Sequence, residues 1–157
     1  MEQWNAQRSQ HVRDDGTTSK SFCRRAVTIM STIADLLPYP GQHPGEPPTA
    51  MLARWADNAT RDARMYELRG EQDLARLAYL RALIYVSAAE EVDLAGADRV
   101  VGSHRTLAAG LAHDLNELER AGVPIETLAM PYIIGCAHQA VAAGLSGEPC
   151  EYIKKWS

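Results

Sequence analysis

Three observations predict an all-α, single-domain bundle of about five helices. Alanine is abundant, β-branched residues thin out in the central segments, and apolar side chains recur at spacings of three and four. The segment 74–89, LARLAYLRALIYVSAA, is the most apolar, with only Arg76, Arg81 and Ser87 strongly polar. Sixteen residues with two internal arginines read as a buried helix, not a bilayer span. A helix that is apolar nearly all round needs neighbours on several sides, so the remaining helices are expected to surround it. At 157 residues the chain can build such a core without disulfides or metals.

Taken in order, residues 1–17 form a polar arm without periodicity, in which Trp4 is the one large apolar group. A helix is predicted over 18–37, capped by Thr18 or Ser19, with Phe22, Ala26, Ile29, Ile33 and Leu37 on one stripe. Pro38 stops it. Residues 38–48 hold five prolines and two glycines and read as an irregular connection. The spacing of Pro44 and Pro47 also offers a PxxP-like ligand, though a plain connector is the favoured reading.

Thr49 is expected to cap a second helix reaching Arg69. Leu52, Trp55, Ala56, Ala59, Ala63 and Tyr66 would be buried, Arg54 would face solvent, and Asp57 would pair with Arg61. Gly70 supplies the left-handed stop, and the central helix follows from Gln72 or Asp73. Glu90, Glu91 and Asp93 oppose the dipole of a helix ending at Ala89. Either that helix runs on to Ala95 or the acids meet cations such as Arg99 and Arg105. Gly96 or Gly102 breaks the run. A fourth helix over 104–121 would be capped by Ser103 and bury Leu107, Leu111, Leu115 and Leu118. A fifth, over 125–143, would be a second buried helix kinked or started by Pro131. It has too many polar and small residues for a hydrocarbon span. The helical domain thus covers 18–147, and 148–157 forms a tail whose Tyr152, Ile153 and Trp156 fold back.

Ala63, Tyr66, Gly70, Ala75, Tyr79, Ala82 and Leu83 form a ladder of small and aromatic residues. Over 56–89 it resembles one tetratricopeptide repeat, in which small side chains let two antiparallel helices approach. The pattern departs from that family at Ala59, Asp62 and Ser87, where tryptophan, leucine and proline are usual. No second copy lies one repeat length away, so the resemblance implies a single hairpin within another helical domain. It further implies that Asp57, Thr60, Arg64 and Glu67 line the open side and contact a partner.

Chemistry-bearing patterns are thin. The fragment 108–118, AAGLAHDLNEL, resembles the His-Asp step of HD-type phosphohydrolases. That family needs a histidine on an earlier helix and a later aspartate, whereas His104 is on the same predicted helix and no aspartate follows Asp114. Cys136 and His138 point to opposite sides of a helix and cannot share an ion; a buried thiol and a core histidine are the better readings. His113 and Glu117 share a face and, joined by Glu90 and Asp93, would make a carboxylate–histidine metal site of a helical hydrolase. A solvated face explains the same residues more simply.

The net charge of −4, with acids interleaved among Arg54, Arg61, Arg64 and Arg69, argues against a nucleic-acid partner. Three cysteines without CxxC spacing and an N-terminus without an apolar signal core point to the cytoplasm. Thirteen arginines against three lysines suggest a GC-rich bacterial or phage source. The favoured function is a non-catalytic protein-interaction module, an adaptor or small inhibitor with a protein partner, no cofactor and no membrane. The metal-dependent hydrolase is the alternative, and self-association is a third reading, because two strongly apolar helices exceed what one domain can bury.

Overall fold

The computed structural model describes residues 41–148 and Cys150. Four helices, α1 (Pro48–Leu68), α2 (Gln72–Ala95), α3 (Ala97–Arg120) and α4 (Ile125–Ser146), make up the described residues, with no strand among them. The arm 1–17, the helix predicted over 18–37 and the tail aromatics Tyr152 and Trp156 lie outside the described residues.

The chain folds as two antiparallel hairpins, α1 on α2 and α3 on α4, laid against each other. Alanines set the first hairpin: Ala56, Ala59 and Ala63 of α1 and Ala75, Ala78 and Ala82 of α2 are all buried. The helix limits follow backbone-special residues. Pro48 opens α1 with Pro47 before it, so the first turn has fewer orphan N–H groups to satisfy. Thr49 is therefore not the cap, and no side chain caps this helix. Gly70, with φ of 76°, turns the chain between α1 and α2. Gly96, with φ of 85°, is at once the last cap of α2 and the first of α3. Of the two glycines expected to break the run, Gly96 does so, whereas Gly102 and the expected cap Ser103 lie inside α3.

Two predicted faces are corrected. α2 is not enclosed: Tyr79, Leu83 and Val86 are 38%, 61% and 44% exposed, because the second hairpin covers only one of its sides. The more enclosed helix is α4, whose Ala129, Tyr132, Ile133, Ala137 and Val141 run through both apolar clusters of the core. Its span Thr127–Ser146 is long and apolar enough to cross a membrane, and most of it is buried inside the protein. Pro131 is accommodated within α4. On α3 the buried residues are Val100, Val101, His104 and Ala108, whereas Leu107 and Leu118 are exposed. The small Ala108 and the flat ring of His104 let α4 approach more closely than a leucine seam would.

One close approach locks the two hairpins. A Cβ on Gly144 of α4 would collide with the Trp55 indole and press on the Met51 methyl. The indole is fully buried, meets Tyr85 of α2 edge-on at 5.4 Å between centroids, and donates from Nε1 to the Gly41 carbonyl at 3.2 Å. The connection 41–47 is thereby tied down. Gln42 donates to the Gly144 carbonyl, and Arg54 bonds both oxygens of Glu46 at 2.8 Å. Arg54 is thus a clamp, not a solvated charge, and the expected Asp57–Arg61 pair does not form.

Arg81 is a buried arginine in α2, 6% exposed, held by Asp62 of α1 at 2.9 Å. Its Nε finds no acceptor among the described residues. Asp62→Ala is expected to lower unfolding free energy by about 2 kcal/mol, since it strands a desolvated guanidinium. Gly144→Ala should cost about 1–3 kcal/mol through the Trp55 clash. Urea denaturation of both variants checks these values; a neutral Gly144→Ala would show that the α1–α4 contact is looser than described.

Candidate functional site

Two features stand out once the helices are placed. The first is the side of the α1–α2 hairpin turned away from α3 and α4. Asp57, Arg64 and Glu67 of α1 are exposed there, and Thr60 is half-buried with its hydroxyl donating to the Ala56 carbonyl at 2.9 Å. Alongside them run Tyr79, Leu83 and Val86 of α2. The Tyr79 hydroxyl donates to the Glu67 carboxylate at 3.1 Å, which joins the two helices across this face. The Tyr79 phenol is pushed up from its usual range by partial desolvation first and by the Glu67 carboxylate second, with Arg64 nearby working the other way. The face is therefore an apolar strip with charged groups at its margin.

The second feature is a histidine pair at the seam of α3 and α4. His104 Nδ1 and His138 Nδ1 lie 2.8 Å apart, with ring centroids at 4.8 Å. One ring must donate and the other accept, so at least one proton sits on Nδ1. His104 Nε2 is 3.6 Å from the Glu91 carboxylate of α2, which favours a proton on that nitrogen. His138 is then the Nδ1–H donor and His104 the acceptor. Burial lowers the affinity of both rings for a second proton: His138 falls to about 4, chiefly by desolvation and then by its neighbour. His104 is lowered by desolvation, against which Glu91 pulls the other way. The pair is neutral near pH 7.

The remaining predicted groups do not converge. His113, Glu90, Asp93 and Glu117 are all exposed, and Glu117 pairs with Arg120 on its own helix. Among the described residues no group of three histidine, cysteine or acidic side chains is placed to hold a metal ion, so the proposed His113–Glu117–Glu90–Asp93 cluster is not assembled. Cys136 is a buried thiol whose pKa burial pushes up to about 12, which leaves it protonated and inert. A cleft of about 370 Å³ opens between the 41–47 connection and the end of α4, lined by Gln42, His43, Glu46, Met51 and Leu145. Its one carboxylate is already committed to Arg54.

Sequence reasoning missed the His104–His138 contact. No local spacing signals it, because the two histidines lie 34 residues apart on different helices and meet only through tertiary packing. It also missed that Tyr79, Leu83 and Val86 would stay uncovered, which depends on where the second hairpin docks. Comparison with known proteins finds no matching family model, no matching curated protein and no matching solved structure.

The histidine pair sets a pH dependence whose sign is fixed. In the unfolded chain a histidine takes its proton near 6.5, whereas folded His138 resists until about 4. The unfolded state therefore binds more protons in this window, and stability is full above pH 6.5 and drains away as pH falls through about 4. Glu46, held down to about 2 by the Arg54 hydrogen bonds, loses its contribution lower, between 4.5 and about 2. Denaturation midpoints measured against pH should flatten between 6.5 and 4 in His138→Gln, and only below 4.5 in Glu46→Gln.

Proposed function

We propose that this chain is a non-catalytic protein-interaction module, an adaptor or small inhibitor that occupies a partner's surface with the open face of the α1–α2 hairpin. The observation that carries this reading is the uncovered strip of Tyr79, Leu83 and Val86 beside Asp57, Arg64 and Glu67. An apolar centre with a charged margin is the composition protein contacts favour. The hairpin acts as a single tetratricopeptide-like unit, with Asp57, Thr60, Arg64 and Glu67 as contact residues. The partner is a protein, not a nucleic acid, since the chain carries a net charge of −4. The module works in the cytoplasm of a bacterial or phage-infected cell and needs no cofactor.

Immobilised protein exposed to a lysate of the native host tests this. Arg64→Glu and Leu83→Asp should each weaken capture about tenfold or more while circular dichroism stays helical, because a centrally placed anchor carries most of the contact energy. Undiminished capture by Leu83→Asp removes the face from the interaction; undiminished capture by Arg64→Glu removes that residue alone.

A further inference from the structure

The uncovered residues of α2 are not scattered. Arg76, Tyr79, Leu83, Val86, Glu90 and Asp93 are all exposed and follow one another at alternating spacings of three and four. That is the heptad seam of a helix made to pack along a second helix. The seam has polarity: a cation at the end near the α1–α2 turn, an apolar centre, and two carboxylates at the far end. Arg64 of α1 lies beside Tyr79 and strengthens the cationic end, while Glu67 is engaged by the Tyr79 hydroxyl.

We infer that the occupant of this face is a second copy of the chain, paired through α2 in antiparallel register about a twofold axis between Leu83 and Val86. The inference rests on the reading of this face as a protein-contact surface and names its partner. Antiparallel pairing sets Leu83 against the second copy's Val86, Tyr79 against its Glu90, and Arg76 against its Asp93. Each layer occurs twice by symmetry, so one self-complementary seam satisfies both ends. A parallel arrangement would set Arg76 against Arg76 and the carboxylates against each other. Sliding one helix past the other by a heptad sets Arg76 against Val86, which leaves the cation only the exposed Asp73 of its own helix at 3.9 Å. Of these arrangements, only the first sets Leu83 against Val86 and Arg76 against Asp93. Asp57, Arg64 and Glu67 flank the seam and broaden the contact towards the size that stable dimers need.

Light scattering and sedimentation of the full chain at micromolar concentrations should give twice the 17.2 kDa of one chain. Leu83→Glu should weaken the dimer by at least about a hundredfold, since it puts two carboxylates at the centre of the contact. Arg76→Asp and Asp93→Arg should each weaken it about tenfold by opposing like charges across the twofold. The chain carrying both substitutions should recover to within a few-fold of the parent. These two positions are exposed, so the charge exchange stays informative even where Leu83→Glu impairs folding. A monomer at all concentrations overturns self-pairing, as does a dimer indifferent to Leu83→Glu, or a double variant no tighter than the weaker single one. A monomer whose capture of a host protein still depends on Leu83 overturns self-pairing while leaving the contact surface standing.

Discussion

The fold turns on the seating of one indole. Trp55 sits where α1, α2, α4 and the 41–47 connection meet, and each neighbour admits it: Gly144 by having no side chain, Tyr85 by a T-shaped ring contact, Gly41 by offering a carbonyl. A buried tryptophan removes more apolar area from water than any other single side chain. Its Nε1–H would cost that gain if left dry, so the Gly41 carbonyl is what permits full burial. The connection, rich in proline and otherwise without regular hydrogen bonds, is held in turn by this bond and by the Arg54–Glu46 clamp. Local order in a segment with no secondary structure thus depends on packing between helices distant in sequence.

α2 illustrates how a helix nearly apolar all round is still only half covered. Its inner side meets two hairpin partners and carries Arg81, whose guanidinium is drawn inward by Asp62 and not expelled to water. Burying an arginine is costly, and the cost is offset only while its partner is present. The outer side keeps Tyr79, Leu83 and Val86, which a lone monomer would gain by replacing with polar residues. This uncovered apolar strip is the observation on which the proposed protein contact rests.

What the sequence made legible follows from the range of the forces involved. Helix positions and stops were readable because Gly70, Gly96 and the periodic alanines act over a few residues. The buried face of α1 was readable for the same reason. Burial around α2 was misjudged because the side a second hairpin covers is decided by tertiary docking, and composition is silent on that. The leucine seam expected on α3 holds only in part: Leu111 and Leu115 are half-buried, Leu107 and Leu118 are exposed, and Ala108 and His104 fill the closest α3–α4 approach. Ion pairs were least legible: Asp57–Arg61 had the right spacing and did not form, while Arg54–Glu46 and Arg81–Asp62 span different elements. Of the residues expected on the open side of α1, Asp57, Arg64 and Glu67 are exposed, and the apolar strip beside them on α2 was not foreseen.

The acids near the end of α2 draw these strands together. Glu90, Glu91 and Asp93 stand where the helix dipole disfavours negative charge, and extending the helix to Ala95 relieves only part of that cost. They divide by direction. Glu91 turns towards the His104 imidazole at the inner seam, where it stabilises a proton on Nε2 and so fixes which ring of the histidine pair donates. Glu90 and Asp93 turn outward with no ion-pair partner among the described residues, at the end of the seam opposite Arg76. A charge placed against a dipole and left without a local partner is unfavourable in the isolated chain. In the proposed antiparallel pairing Asp93 of each copy would meet Arg76 of the other, so that Glu91 orders the inner hydrogen bonds while Asp93 sets the outer register.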